Sequence, residues 1–135
     1  MNENEVFRQI VESYNPNYKV DSHSVTTEDG YILKLFRIRG DGTERPRLGE
    51  GRPKPVVFFQ HGLISSSETF VNNGRNSLPF RLIEKGYDVW LGNNRGNIYC
   101  RKHIKYTTDD HQFWDFSFYE LGKYDLPAMI DHVRQ

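Results

Sequence analysis

The sequence predicts an α/β fold, in which an antiparallel lead-in hairpin precedes parallel strands joined by crossover helices. Residues 56–59, Val-Val-Phe-Phe, form a short apolar run bounded by prolines and by Gly62, which predicts a parallel strand buried on both faces. A second apolar run, residues 87–92, predicts another short buried strand. Asp29-Gly30 lies between two β-prone runs, and this dipeptide predicts the turn of the hairpin.

The first part of the chain is expected to be a helix followed by the hairpin. Apolar residues at helical spacing predict a short amphipathic helix that ends at Asn15-Pro16. These apolar residues are Val6, Phe7, Ile10 and Val11. Residues 1–22 therefore form the N-terminal helix and lead-in, residues 23–39 the hairpin, and residues 40–55 a surface loop rich in glycine, proline and charged side chains. We interpret the hairpin as scaffold.

Residues 56–135 are expected to form βαβα units. The helix between the two predicted strands has Ser77 or Asn76 as its N-cap, Pro79 in its first turn and Gly86 as its C-terminal stop. We expect its buried stripe to consist of Leu78, Leu82 and Ile83. Strand, helix and strand in this order form a crossover unit.

A last helix is predicted near the end of the sequence. Asp125 is its expected N-cap, and Pro127 lies in its first turn. Its expected inner face consists of Leu126, Met129, Ile130 and Val133. Because a crossover helix carries the chain to the next parallel strand, we expect residues 1–135 to be one partial domain of a larger sheet.

The charge balance and the cysteine content argue against several classes of function. The chain has 18 basic and 18 acidic residues and a formal net charge of zero, which favours neither nucleic acid nor an anionic membrane as a partner. Its single cysteine, Cys100, excludes an intrachain disulfide and disfavours a thiolate zinc site. The first residues lack the features of a secretory signal, and no apolar run reaches membrane-spanning length. We predict no metal and no other cofactor.

His61-Gly62-Leu63 is the leading candidate for a functional segment. It follows the strand at 56–59 and so lies at the carboxyl edge of the predicted parallel sheet, where open α/β sheets place their chemistry. A local triad of His61 with Asp88 and one of the serines at 65–67 is disfavoured, because a catalytic serine requires a strained, exposed turn. We therefore interpret His61 as a turn histidine beside the site.

Other polar and aromatic residues have both a structural and a functional interpretation. Cys100, His103 and His111 match no familiar zinc spacing, which disfavours a metal cluster. Residues 94–96, Asn-Arg-Gly, follow the second predicted strand and could contact substrate, but a tight turn stabilised by hydrogen bonds is the favoured interpretation. Trp114 and its neighbours could line a ligand pocket, although large rings are more often part of a core.

Six segments of the chain keep the order of motifs known from one family. They are Thr27-Glu28-Asp29-Gly30-Tyr31-Ile32-Leu33, His61-Gly62-Leu63, Asn76-Ser77-Leu78, residues 86–97, Phe113-Trp114-Asp115-Phe116-Ser117 and Lys123-Tyr124-Asp125-Leu126-Pro127. Over most of the chain, from about Val6 to Val133, this set resembles the acid lipases, that is, the gastric and lysosomal lipases and their sterol-esterase relatives of the α/β-hydrolase fold. A single His-Gly pair would be a weak signal, whereas an ordered set is a strong one.

The resemblance implies hydrolysis of triacylglycerols or steryl esters by a Ser-Asp-His triad. In that family the serine lies in a Gly-His-Ser-x-Gly elbow beyond the last helix predicted here, and this sequence contains no Gly-x-Ser-x-Gly. The expected architecture is the N-terminal part of an α/β-hydrolase, truncated before the nucleophile elbow. The family's first oxyanion-hole donor corresponds to the backbone N–H of Leu63, with His61 and Gly62 shaping the turn that aims it. The chain alone is expected to be inactive.

Three hypotheses for function remain. The first is a lipase or other carboxylic ester hydrolase of lipid catabolism, whose full-length form takes a neutral lipid ester as substrate. The second is a non-catalytic lipid-binding module or pseudoenzyme without the triad. The third, another α/β-hydrolase such as a dehalogenase, is disfavoured by the ordered motifs. Members of the resembled family are lysosomal, secreted or membrane-anchored, and so the compartment stays open.

Overall fold

The computed structural model describes residues 3–40 and 54–135. The surface loop predicted at 40–55 therefore lies mostly outside the described residues. The helices and strands, in chain order, are α1 Glu3–Tyr14, β1 Lys19–Thr26, β2 Tyr31–Arg39, β3 Val56–Phe59, α2 Leu78–Glu84, β4 Asp88–Leu91, β5 Lys102–His103, α3 Phe118–Glu120 and α4 Leu126–Val133. A π-helical turn, Leu121–Asp125, joins α3 to α4. In the described part of the chain, none of the helices has the length and apolar character needed to cross a bilayer.

A mixed sheet forms the centre of the molecule, with strand order β1-β2-β4-β3 and with β5 paired to β2. β1 and β2 form the antiparallel hairpin around the Asp29-Gly30 turn, and β3 pairs with β4 in parallel. Gly30 has a φ of +98°, which explains the glycine at this turn. The predicted α/β fold is confirmed. The hairpin begins at Lys19 rather than at residue 23, because its first strand pairs along the full length of the second.

The prediction that β3 is buried on both faces is wrong. Val56 is 50% exposed, and the other three residues of β3 are half-buried. The physical reason is its position: β3 lies at the edge of the described sheet opposite β1, and it pairs only with β4. The apolar run at residues 56–59 predicts a buried strand. Burial also depends on the elements that lie beside the strand, and the run carries no information about them.

Helices α1 and α2 cover one face of the sheet. The ring of Phe7 in α1 stacks on Phe36 of β2, with centroids 4.2 Å apart. Phe80 of α2 packs against the rings of Tyr14 and Tyr18. The buried residues of α2 are Pro79, Phe80 and Ile83.

Leu78 was expected on the buried stripe of α2, and this prediction is wrong, because its side chain is exposed. At about 100° per residue, Leu78 lies on the side of the helix opposite the stripe formed by Phe80 and Ile83. Ser77 is the N-cap residue as predicted, but its hydroxyl accepts a hydrogen bond from the backbone N–H of Asn73 rather than from the helix (3.1 Å).

Helix α4 covers the other face. Met129 is fully buried, and a Cβ placed on Gly92 would lie 2.8 Å from its Sδ, so the absence of a side chain at Gly92 allows α4 to approach the sheet closely. Ile130, expected on the inner face, is exposed instead.

The prediction that Asp125 caps the last helix is also wrong. The helical stretch begins earlier, at Phe118, where Ser117 and Glu120 form a reciprocal capping box. Asp125 has helical backbone angles, makes no capping bond and is fully buried. Its carboxylate is used elsewhere, at the carboxyl edge of the sheet.

Candidate functional site

A cavity of about 650 Å³ opens at the carboxyl edge of the parallel strands. Its walls come from the loop after β3 (residues 60–66), the loop after β4 (residues 92–97) and the aromatic segment that leads into α3. Parallel strands end at the same edge of a sheet, and so the fold brings these loops together. All three predicted site residues, His61, Gly62 and Leu63, line this cavity.

His61 joins the two loops through both of its ring nitrogens. Nε2 accepts a hydrogen bond from the backbone N–H of Asn94 (3.1 Å) and lies 3.3 Å from Nδ2 of Asn97. Because a backbone N–H can only donate, Nε2 carries no proton, and so Nδ1–H donates to the carbonyl oxygen of Gly62 (2.7 Å). The ring is buried, and burial lowers the pKa of His61 against the opposing effect of the bond to Gly62.

This bond sets the orientation of one particular peptide group. The carbonyl of Gly62 and the N–H of Leu63 belong to the same planar trans peptide, and so they point in opposite directions. By holding the carbonyl, His61 directs the Leu63 N–H away from its own ring. Apart from residues 61–63 themselves, no atom of the described residues lies within 4 Å of the position that a Cβ on Gly62 would occupy, so the space over this peptide is open.

The loop after β4 is tied to its surroundings by asparagine side chains. Oδ1 of Asn93 accepts from the backbone N–H of Ser67 (2.9 Å) and from Nδ2 of Asn97 (3.0 Å). Nδ2 of Asn93 donates to the carbonyl of Lys34 in β2 (3.3 Å). Asn93 is fully buried. These bonds connect the loop after β4 to Ser67 and to the hairpin strand β2, a role of Asn93 that was not predicted from the sequence.

Arg95 lies at the centre of a buried ion network. Its side chain is 1% exposed, and it bonds Asp125 through Nε (2.8 Å) and Asp29 through Nη1 (2.7 Å) and Nη2 (2.9 Å). Its backbone N–H also donates to Asp125 (2.9 Å). The guanidinium lies 3.9 Å from the ring centroid of Tyr31. Arg95 therefore joins the hairpin turn, the loop after β4 and the helical stretch at one point, which agrees with the structural interpretation favoured for residues 94–96.

The two carboxylates of this network have different environments. Burial raises the pKa of Asp125, and the bonds from Arg95 offset this only in part. Burial also acts to raise the pKa of Asp29, but the hydrogen bonds from Arg95 and Thr27 outweigh it, and the pKa lies below its usual value. Arg95 is surrounded by two acids, and its own pKa is raised by them despite burial.

Apolar side chains form the outer wall of the cavity. Trp114 is 43% exposed and lines the cavity, and so the expectation that it belongs to the core is wrong; its neighbour Phe113 is the fully buried ring. Ile98, Leu63 and Phe118 are exposed and line the same space. Ile98 and Phe118 were not predicted to line the site, because single apolar residues in loops carry no periodic signal.

Groups that the disfavoured local triad and metal cluster would use are bonded elsewhere in the structure. Asp88 lies at the start of β4, at the opposite edge from His61, and pairs with Arg37 (2.9 Å). Sγ of Cys100 bonds the backbone near the sheet, donating to the carbonyl of Asn93 (3.2 Å). In residues 3–40 and 54–135, no group of three or more His, Cys, Asp or Glu side chains is arranged to hold a metal ion.

A mixed sheet with helices on both faces and a polar loop cluster at the carboxyl edge of its parallel strands is an open α/β arrangement, with its candidate site where such sheets place their chemistry. The family model described as the partial alpha/beta-hydrolase lipase region matches residues 7–74. The chain therefore belongs to this α/β-hydrolase lipase family.

Named lipases are similar to this chain over most of its length. Lipase 1 of Drosophila melanogaster is 51% identical over 117 residues, which cover 86% of this chain and 24% of that protein. Gastric triacylglycerol lipase of Homo sapiens is 47% identical over 117 residues, covering 86% of this chain and 29% of the lipase. Lipase member K of Homo sapiens is 48% identical over 118 residues, again 86% of this chain and 29% of the relative. The chain thus spans 24–29% of the length of these relatives.

Proposed function

We propose that this chain forms the N-terminal part of a serine-type lipase that hydrolyses neutral lipid esters, triacylglycerols or steryl esters. The observation that carries the proposal is the His61–Leu63 turn, held at the carboxyl edge of β3 beside a cavity with an apolar outer wall. Membership of the α/β-hydrolase lipase family and the similarity to gastric triacylglycerol lipase support the reaction class and the substrate class.

In this proposal the backbone N–H of Leu63 is one donor of the oxyanion hole. Ester hydrolysis builds negative charge on the substrate carbonyl oxygen, and a donor fixed in advance stabilises that charge without reorganisation. His61 supplies the fixation, because its Nδ1–H holds the Gly62 carbonyl at 2.7 Å. The open space over Gly62 leaves room for the ester.

The apolar wall fits the rest of such a substrate. Trp114, Phe118 and Ile98 present exposed apolar surface beside the turn, where the acyl chain of a lipid ester would lie. The backbone N–H of Asn94 and Nδ2 of Asn97 already contact Nε2 of His61, and so these two groups stabilise the turn rather than bind the acyl chain. None of the segments that match the family's motifs contains the nucleophilic serine, the acid or the base of the triad.

The test is a chimera in which this chain replaces the aligned region of human gastric triacylglycerol lipase. We expect the chimera to hydrolyse a short-chain triacylglycerol. Replacing Leu63 by its α-hydroxy acid removes the N–H and also makes the Gly62 carbonyl a weaker acceptor for His61, and it should lower kcat about 100- to 1000-fold. Leu63→Ala, which keeps the N–H and shortens only a side chain of the apolar wall, is the matched control and should lower kcat far less than removal of the N–H.

Two outcomes would contradict the proposal. Unchanged kcat after removal of the N–H would exclude Leu63 as an oxyanion donor. A chimera that folds, by circular dichroism and thermal unfolding, and binds lipid ester without hydrolysing it would favour a non-catalytic lipid-binding module instead.

A further inference from the structure

Two histidines meet on the face of the sheet covered by α4, and neither lines the cavity. Nε2 of His132, in the last turn of α4, lies 3.2 Å from Nδ1 of His23 in β1. The ring centroids are 5.2 Å apart, and both residues are half-buried, so solvent reaches the pair. The ring of Trp90 contacts both imidazoles. These two side chains join the outermost strand of the hairpin to the end of the last helix.

These two nitrogens are within hydrogen-bonding distance, and their separation is also that of neighbouring ligands on one metal ion, which would displace the shared proton to solvent. Zinc binds imidazole nitrogen at about 2.0–2.1 Å in a tetrahedral arrangement, which places two ligand nitrogens about 3.3 Å apart. Imidazole is also a preferred ligand of copper and nickel. We propose that His23 and His132 form a two-histidine site for a divalent transition-metal ion, with water completing the coordination.

The charges around the pair permit a cation. Asp21, on the same strand as His23, is paired with Arg39 (2.8 Å). Arg37 of β2 lies over the ring of Trp90, on the same face as His23, but its charge is balanced by Asp88 at 2.9 and 3.1 Å. Both arginines near the pair, Arg37 and Arg39, are therefore balanced by a carboxylate.

The site has two protein ligands, and this limits what it does. The described residues contain no third His, Cys, Asp or Glu arranged to close it. A closed structural zinc site has four protein ligands, and so the His23–His132 site leaves positions open to water or to an added ligand. Binding would link α4 to β1 and so stabilise the folded state in proportion to metal concentration.

The experiment is a titration of the full chain at pH 7.5 with zinc chloride and, separately, nickel chloride, followed by calorimetry. We expect one ion per chain and an upward shift of Tm with metal. His132→Gln and His23→Gln should each weaken binding about tenfold or more, since even loss of a hydrogen-bonding partner outside the ligand set costs metal sites that much. His111→Gln removes an exposed histidine from another part of the molecule and is the matched control, which should leave the affinity unchanged.

A second measurement identifies the ligands directly. Paramagnetic nickel should broaden the ring resonances of His23 and His132 before those of His61, His103 and His111. Because His132 lies in the last turn of α4, its variant is the less disruptive one, and circular dichroism checks that it folds. Binding that is undetectable, or that is the same in the chain and in the His132→Gln variant, would overturn the proposal.

Discussion

The two loops at the carboxyl edge of the sheet are held in different ways. The loop after β4, residues 92–97, contains Arg95, which is buried and bonded to two carboxylates. The loop after β3, residues 60–66, exposes Leu63 and Ile64, and Ile64 has a φ of +53°, which is unfavourable for a β-branched residue. The loop after β4 is therefore anchored in the core, whereas the loop after β3 lies at the surface. We call the first the anchored loop and the second the exposed loop.

His61 provides the connection between these two loops. Its Nε2 binds the backbone of the anchored loop at Asn94, and its Nδ1–H binds the backbone of the exposed loop at Gly62. The rigidity of the loop after β3 therefore depends on the loop after β4, through the two bonds of His61. The peptide proposed to bind the substrate oxygen is positioned by a histidine whose own position depends on the Arg95 network.

The largest expected effect comes from removing the anchor. Arg95→Ala leaves the carboxylates of Asp29 and Asp125 without their counter-charge, and Asp125 is fully buried. Loss of one partner of a buried ion network costs about 3–5 kcal/mol. We expect the free energy of unfolding, measured by urea denaturation, to fall by this amount, and the amide resonance of Leu63 to broaden.

Arg37→Ala is the control for this comparison. Arg37 pairs with Asp88 with similar geometry, but its side chain is 37% exposed. A pair of this kind contributes at most about 1 kcal/mol. Equal losses for the two variants would mean that burial of the Arg95 network does not distinguish the anchored loop.

The second effect compares one glycine from each loop. Gly96 has a φ of +83°, and a Cβ there would lie 2.9 Å from Cζ of Phe116. Gly96→Ala combines an unfavourable backbone conformation with a steric overlap, and we expect a loss of about 1–3 kcal/mol in the free energy of unfolding.

Gly62→Ala is its counterpart in the exposed loop. In the described part of the chain, no atom outside residues 61–63 lies within 4 Å of the added Cβ, and Gly62 is not among the glycines with positive φ. Its effect on stability should stay within about 0.5 kcal/mol. If thermal and urea unfolding showed a larger loss of stability for Gly62→Ala than for Gly96→Ala, the assignment of an anchored and an exposed loop would be wrong.

The sequence predicts those parts of this arrangement that depend on local pattern. The Asp29-Gly30 turn and the two short parallel strands follow from dipeptides and apolar runs, and they are confirmed. The end of α1 at Tyr14, before Asn15-Pro16, is confirmed for the same reason. Each of these features needs no information from distant residues.

Features that depend on distant partners were not predictable in the same way. Asp125 looked like a helix cap because Pro127 follows it, whereas its partner Arg95 lies 30 residues earlier in the chain. The true start of the helical stretch had a readable signal, since Ser117 and Glu120 have the spacing of a capping box. The exposure of β3 depends on which strands lie beside it, and no local pattern encodes that.

The smallest expected effect is the response of the connecting histidine to pH. Burial holds the pKa of His61 below its ordinary value of 6.5. The neutral ring makes the bond to Asn94, and a proton on Nε2 would face the N–H of that residue instead of accepting from it. The stabilisation is therefore fully present above pH 6.5 and is lost as the pH falls through the lower pKa of the folded state.

Two measurements separate this effect from other titrations. The ring resonances of His61 should give a pKa below 6.5, and His61→Gln, which keeps an acceptor but does not titrate, should lose less stability than the unmodified chain as the pH falls. His111→Gln, at an exposed position, should leave the pH dependence unchanged. A His61 pKa at or above its ordinary value would mean that the ring is not bonded as an acceptor. The exposed loop would then be held by its own backbone, and the orientation of the Gly62–Leu63 peptide would no longer depend on the anchored one.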